Sequence, residues 1–582
     1  EEEELAVKLV EGLRRRLNSK VVRERHRSRR FPWLSQGAWA AAKVLSGPQA
    51  TNATKSLRTE AVKLLEEVSQ ASAEALQRQK PFEARDAANL LWALATADVA
   101  APKEAFDAML LMKSEAFAPQ DIANLIWALT RLESRDGSAS QLEMLAKLCS
   151  LAQQRISHLE PQGLAAVLSA LAAARESLTL GPMLANTVAM LLRAAAKRLE
   201  EDLANAKDSS RWRSSELVQL FWAFSVLQLD VIYYEHLPVA PRAGLSRSNW
   251  CELPPRDLSL LAWSFANSNS ESLALEVAKI ATAALPKLRD FDHQGISNLV
   301  WALGAVSLPD REVFSRVGNL VAAGDYTPRQ MTNISWAYAT AAFLHHDLFR
   351  KARHLAERSF DAFRADEQVS LLWSFAIVSV QSNVLCSSRC LKVGSTGSGI
   401  SAREAANLCW TLAVLGQHRE DVLSEAAKLL EAKGSQDLEL HLAQWHYAFM
   451  AFKLEGAPIP HDLQIFASRT AAAAKYRAVA QLRSAAASSK LHSEISQKVR
   501  MLRRNELVQD EFLVEDFLVV DIAWPKRRLA LEVDGPWHFA RTLPQGELVL
   551  QGGSRLKRRL LQLFNWKVLQ IDWESWRRRN WL

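Results

Sequence analysis

At 582 residues the chain is longer than a single hydrophobic core usually serves, so several domains or a stacked repeat array is expected. A composition of 49% hydrophobic and 23% charged residues with 19 Trp excludes a disordered chain, and the lack of any run of 18 uninterrupted apolar residues argues against a membrane span. The net charge of +8 sits at the ends: residues 1–30 carry 10 Lys and Arg against 6 Asp and Glu, and residues 521–582 carry 12 against 6, so polyanion contacts are sought there.

Residues 1–54 read as a basic N-terminal segment or linker. The string "LRRRLNSKVVRERHRSRRFPW" is Arg-rich, as the tail of an organelle-targeting segment is, and a basic arm has the same composition. The preceding "EEEE" does not suit a transit peptide. Because residue 1 is Glu, the chain is expected to begin inside a longer precursor or an incomplete gene model. The five cysteines (Cys149, Cys251, Cys386, Cys390 and Cys409) are odd in number and scattered, which supports neither a disulfide framework nor a zinc site and makes a reducing compartment the default.

From residue 55 to 485 one unit recurs: "ANLLWALAT", "ANLIWALTR", "VQLFWAFSV", "SLLAWSFAN", "SNLVWALGA", "TNISWAYAT", "VSLLWSFAI", "ANLCWTLAV" and "LAQWHYAFM". Its tryptophans are Trp92, Trp127, Trp222, Trp263, Trp301, Trp336, Trp373, Trp410 and Trp445, and from Trp222 the spacings are 41, 38, 35, 37, 37 and 35. A decayed copy, "GLAAVLSAL", fills the gap after Trp127, with Leu168 in the Trp place. The period is therefore about 37 residues over about ten copies. Each Trp segment is apolar on every side and predicts a buried helix. A second, amphipathic helix follows, as in "DLFRKARHLAERSF", where Leu348, Ala352, Leu355, Ala356 and Phe360 form one stripe. Helix pairs of this size cannot bury their own apolar surface, so they are expected to stack into an α-solenoid. The Trp is expected to be core packing rather than a row for stacking bases, and the Asn three residues before it (Asn89, Asn124, Asn298, Asn333, Asn407) an internal hydrogen-bond ladder rather than a ligand contact. Between 382 and 401 the amphipathic pattern lapses. Its "GSTGSG" lacks the Gly-Lys-Ser/Thr of a phosphate loop and reads as a flexible insertion.

The "NLLWALA" unit resembles the octotricopeptide repeats of organellar RNA-binding proteins and the related arrays of FAST kinase-like proteins. The resemblance implies single-stranded RNA along the concave face of the array, although protein-binding arrays share the architecture.

After a linker at 486–510, the periodicity changes to alternation. "FLVVDIAW" and "RRLALEVDG" predict two strands joined around Pro525, "RLKRRLLQLF" a helix and "WKVLQID" a third strand. Alternation places Asp521 on one face of the first strand, and Glu532 and Asp534 together on one face of the second. The run "ALEVDGPWHF" followed by "LKRRLL" closely resembles the RAP domain, which implies a small α/β, restriction-endonuclease-like domain over 511–582. Through the PD-(D/E)xK superfamily it implies that Asp521 and Glu532 stand where acidic metal ligands stand.

Candidate catalytic residues are then Asp521, Glu532, Asp534, His538 and Lys557, with Asp521 and Glu532 as candidate Mg²⁺ ligands. Asp534 occupies the place of the superfamily's Lys; Lys557 or His538 would have to supply its chemistry. The competing structural reading is that Asp534-Gly535-Pro536 is a tight turn and His538 its hydrogen-bond partner. Candidate RNA-binding residues are Arg527, Arg528, Lys557, Arg558, Arg559, Arg577, Arg578 and Arg579, interleaved with Trp524, Trp573, Trp576 and Trp581. The expected protein is mostly α: a solenoid that holds a mitochondrial or plastid transcript and a small C-terminal α/β domain that contacts or processes it, for RNA maturation, stability or translation. No membrane is expected as partner and no cofactor is required. The rival readings are a Mg²⁺-dependent endoribonuclease and a protein-binding scaffold.

Overall fold

The start of each Trp helix is written six residues before the indole. The computed structural model describes residues 12, 14, 30–46, 55–78, 82–132, 139–175, 182–204, 211–227, 250–268, 271–381, 400–432, 438–484, 490–502 and 507–578. In it the Trp strings form helices such as Ala84–Thr96, Pro119–Arg131, Pro255–Asn267, His293–Ala305, Pro328–Thr340, Ala365–Ile377 and Ala402–Leu415. An acidic or amide side chain at the third helical position accepts the N-cap backbone N–H: Ala118 N donates to Asp121 (3.2 Å), Arg213 N to Glu216 (2.9 Å), Thr327 N to Gln330 (3.1 Å) and Arg364 N to Glu367 (3.0 Å). This satisfies a donor the helix itself cannot. Pro119, Pro255 and Pro328 open their helices at the first position, where a missing N–H costs nothing.

The chain divides into two compact units, 1–273 and 274–582. In the first, Trp helices from Ala84–Thr96 to Pro255–Asn267 pack side by side, and second helices Lys55–Gln77, Lys103–Leu110, Ala139–Gln154 and Pro182–Ala204 form a neighbouring row. Arg30–Ser46, within the stretch read as a linker, is a further helix packed on Ala84–Thr96, with Ser35 Oγ donating to Asp86 at 2.7 Å. Its Trp39 stands 53 residues before Trp92, outside the period that identifies the other copies. In the second unit the same side-by-side packing runs from His293–Ala305 to Leu438–Leu454. The second-helix stripe takes the predicted form: Leu348, Ala352, Ala356 and Phe360 are buried and Phe349 joins them, while Leu355 is partly covered. The insertion expected from 382 to 401 lies almost wholly outside the described residues.

The Trp itself departs from expectation in degree. The core is made by its neighbours: Leu90, Leu91, Ala93 and Leu94, like Leu299, Val300, Ala302 and Leu303, are fully buried. Trp92, Trp127, Trp222, Trp263, Trp301, Trp336, Trp373 and Trp410 are each largely covered but less so than these neighbours, so the indoles pack at the edge of the core with part of each ring exposed. Positions seven and three before the Trp and four after it fall with it inside an arc of about 60°. An unbroken apolar string conceals which arc faces outward.

Two copies also shift register. Eight residues into Pro161–Ala173 stands Ser169, partly exposed, while Leu168 is buried; Ser169 therefore takes the Trp position. In the last copy Trp445 is fully buried with its indole N–H donating to Leu423 O at 3.1 Å. Tyr447, between buried His446 and Ala448, takes the outward place and restores a spacing of 37 from Trp410.

The C-terminal sheet has the order β2-β3-β4-β7: β2 (Gln509–Val514), β3 (Leu518–Trp524) and β4 (Leu529–Asp534) pair antiparallel, and β7 (Lys567–Asp572) lies parallel to β4. Both faces are apolar, so both are covered. Helix Lys490–Leu502, in the stretch read as a linker, brings Ile495 onto Val508, Ile522, Trp524, Leu531 and Val533. Ser496 Oγ and Arg500 each reach Asp510 at 2.7 Å and tie that helix to β2.

Helix Gly552–Leu563 covers the other face and packs on the Trp373, Trp410 and Tyr447 helices. Gly552 is needed there, because a Cβ would collide with the Ala376 carbonyl oxygen. Alternation also missed a second sheet, β1-β5-β6, in which β1 (Phe343–His345), from the repeat after Trp336, pairs in parallel with β5 (Phe539–Leu543), and β6 (Leu548–Leu550) pairs with β5. Gly318 leaves room for the buried His345 ring at the foot of β1.

Candidate functional site

The three carboxylates do gather beside the end of β4, and each has a partner. The β3–β4 ladder stops at Ile522 and Leu531; beyond it Asp521 Oδ2 accepts the Val533 backbone N–H at 2.7 Å, so the side chain replaces a strand partner where the two strands part. Glu532, 5% exposed, receives the Lys557 ammonium on Oε2 from the facing helix. Burial pushes the Glu532 carboxyl up to about 7, against the pull of Lys557 and with added repulsion from Asp521, while Glu532 and Asp521 keep Lys557 charged by raising its pKa against desolvation. Asp534, 3% exposed, lies 3.5 Å from His538 Nδ1, which is also 2.9 Å from Ser554 Oγ. Burial raises the Asp534 carboxyl; His538 opposes the shift.

A fourth carboxylate escaped the sequence reading. Asp572 stands opposite Asp534 across the β4–β7 pair. Its oxygens accept the Ser575 N–H at 2.7 Å and the Ser575 hydroxyl at 2.5 Å, capping helix Trp573–Arg578, and these bonds hold its pKa below the ordinary value despite burial. The signal was the string "DWES", an acidic N-cap followed by Ser at the third helical position.

A resident Mg²⁺ needs several free oxygens. One Asp521 oxygen is engaged by a backbone N–H, one Glu532 oxygen by Lys557, and Asp534 faces His538, which leaves Glu532 Oε1 buried without a hydrogen-bond partner. Among the described residues no group of three or more His, Cys, Asp or Glu side chains could hold a metal ion. At the two-carboxylate site of Asp521 and Glu532 a metal would have to share Glu532 with the Lys557 ammonium.

The basic candidates divide. Lys557 is committed to Glu532, and Arg559 to the repeats: it donates to the carbonyls of Ala413 and Val414 and pairs with Glu455 at 2.6 Å. Both are drawn into contacts within the protein while keeping about a quarter to a third of their side chains exposed; a helix with basic residues along its whole length does not reveal which of them meets a neighbour. Arg527, Arg528, Arg558, Arg577 and Arg578 are exposed. Of these, Arg528 donates to Phe564 O at 3.2 Å, Arg558 to Gln570 at 2.7 Å, and Arg578 pairs with Glu574 at 2.9 Å. Trp524 is buried in the core, Trp573 packs on Phe539 with the Arg541 guanidinium 5.8 Å from its ring, and Trp576 lies under Lys498. Arg579 and Trp581 lie outside the described residues.

Residues 531–580 match the family model of the RAP domain. The chain is also similar to a RAP domain-containing protein, chloroplastic, of Oryza sativa subsp. japonica, at 23% identity over 356 residues, covering 57% of this chain and 51% of the relative. It thus spans about half the length of that relative. No helix among the described residues is long and apolar enough to cross a membrane.

Proposed function

We propose that the chain binds single-stranded RNA in an organelle and acts on the maturation, stability or translation of a transcript without cutting it. The observation that carries this reading is the RAP-domain match at 531–580, joined to an array of helical repeats of the kind whose sequence resembles organellar RNA binders. The name of the rice relative supports a plastid location over a mitochondrial one. The carboxylate cluster supports binding rather than hydrolysis: Lys557 sits on Glu532 and a backbone N–H on Asp521, so a Mg²⁺ held by these two carboxylates would have to compete with the ammonium already there.

Crosslinking of the protein to RNA in organelles, followed by sequencing of the bound fragments, tests the function. A reproducible set of organellar transcripts is the expected result, and recovery of no RNA above an untagged control contradicts it. Incubation of single-stranded RNA with the purified protein and Mg²⁺ or Mn²⁺ tests the absence of cleavage. Cutting by wild type that is lost in both Asp521→Ala and Glu532→Ala would replace the binding reading by an endoribonuclease.

A further inference from the structure

The partly covered indoles belong to a repeated surface. On each Trp helix the outward arc holds the residues seven and three before the Trp, the Trp, and the residue four after it. In helix Ala84–Thr96 these are Arg85, Asn89, Trp92 and Thr96; in Pro119–Arg131 they are Gln120, Asn124, Trp127 and Arg131; none is buried. Adjacent indoles lie against one another: Trp92 and Trp127 have ring centroids 6.1 Å apart at 32°, and Trp301 and Trp336 6.1 Å apart at 27°. Cations stand over them, Lys43 Nζ at 5.2 Å from the Trp92 centroid and the Arg131 guanidinium at 4.5 Å from that of Trp127.

The amide row is ordered along each helix. Gln120 donates to Asn124 Oδ1 at 3.0 Å and Gln294 to Asn298 Oδ1 at 2.8 Å, so each Asn keeps its oxygen on its own helix. Bonds also cross between helices, from Gln330 to Gln294 at 3.3 Å and from Asn267 to Ser225 Oγ at 2.9 Å. The Asn side chains are partly covered and join hydrogen bonds along their own helices, with a few bonds between helices, at the edge of the core.

Charge selects the occupant. From Trp92 to Trp263 the outer positions of the stripe, seven before and four after the indole, include Arg85, Arg131 and Arg256 and no carboxylate. The acidic residues six before the indole, such as Asp121 and Glu216, are turned to the helix N-caps. In the first unit this surface alternates aromatic faces, amides and cations without a carboxylate at its outer positions, which fits unpaired bases on a polyanionic backbone; in the second unit Asp366 takes the position seven before Trp373.

We infer that the outward stripe of the Trp helices, within each unit, is a binding track for single-stranded RNA. The indoles stack bases, the amides three residues earlier (Asn89, Asn124, Gln219, Asn298, Asn333 and Asn407) hydrogen-bond base edges, and the flanking arginines neutralise phosphates. The inference rests on the RNA-binding reading above and assigns the contact to named residues of the repeats. In the second unit the track is closed at one end by the protein itself, because helix Gly552–Leu563 lies on the Trp410 helix with Gly553 against the indole.

The test is fluorescence anisotropy with an unstructured single-stranded RNA, using the full chain and an RNA duplex as competitor. Trp92→Ala/Trp127→Ala and Trp301→Ala/Trp336→Ala should each weaken binding by roughly 5- to 100-fold per lost stacked base, with the Phe variants retaining most of the affinity and the duplex competing poorly. Arg85→Ala/Arg131→Ala/Arg256→Ala changes exposed side chains only. It should reduce the slope of log K against log salt by about 2, since each single-strand phosphate contact contributes roughly 0.7. Wild-type affinity and salt slope in the arginine variant, together with wild-type affinity in whichever Trp variants fold, would overturn the track and leave RNA binding standing. Failure of the wild type to bind any single-stranded RNA would overturn both.

Discussion

The Lys557–Glu532 pair shows how far residue types alone carry a site. The sequence placed Asp521, Glu532 and Asp534 within reach of one another and named Lys557 and His538 as neighbours, and the structure brings all five together. What alternation does not encode is that the ammonium would sit on the carboxylate. Removing one partner of a buried pair costs about 3–5 kcal/mol, mostly the penalty of the charge left behind, so Glu532→Met and Lys557→Met should each lower stability. The cost should fall toward the low end of that range because Lys557 keeps 26% of its side chain exposed, and the double variant should lose less than the sum of the singles. Denaturant melts of the three variants read this directly; additive losses would mean that the pair is not coupled. The pH dependence has a fixed sign. Because the Glu532 carboxyl titrates near 7 in the fold and near the ordinary glutamate value when unfolded, its contribution is complete below that ordinary value and is lost as pH rises to 7. Glu532→Gln should therefore remove a falling component of the stability profile between the two. At the repeats, Leu299→Ala should cost about 2–5 kcal/mol, more than Trp301→Ala, since Leu299 is fully buried and Trp301 is not. The reverse order in thermal melts would restore the indole to the core.

At the scale of elements, helices and the central hairpin were legible because their signals are local. The Trp strings, the amphipathic second helices and the alternation of "VVDIAW" and "LALEVD" each lie within one window. The packing of the C-terminal domain on the repeats was not, since no periodicity links Phe343–His345 to a strand almost 200 residues later. The contact depends on small groups: Gly552 against the Ala376 carbonyl, Ser379 Oγ donating to Leu550 O at 2.8 Å, and the Tyr447 hydroxyl donating to Phe517 O at 2.6 Å. Gly552→Ala should destabilise this docking by about 1–3 kcal/mol, as overpacking against backbone does. Gly553→Ala, whose Cβ would meet the Trp410 ring at an ordinary 3.5 Å, should be close to neutral. Hydrogen exchange of helix Gly552–Leu563 distinguishes them: faster exchange in the first variant and not the second is the expected pattern, and equal protection in both would place the docking energy elsewhere.

At the scale of the molecule, the architecture of stacked helix pairs with a small terminal α/β domain followed from the period of about 37 residues and the change to alternation after it. The functional surface was less legible because the same apolar string serves two purposes, burying four flanking residues and presenting the fifth. The terminal domain, which drew attention through its charge and carboxylates, has two of its basic side chains and its acidic cluster committed to internal contacts. If the proposed RNA track is right, the larger nucleic-acid contact of this protein is helical. The most direct measurement is the affinity of the purified wild-type chain for single-stranded RNA across a series of monovalent salt concentrations. If five or more phosphates are neutralised, log K should fall linearly with log salt with a slope of about −3.5 or steeper. No measurable binding at low salt, or an affinity indifferent to salt, would contradict the claim that this protein holds RNA.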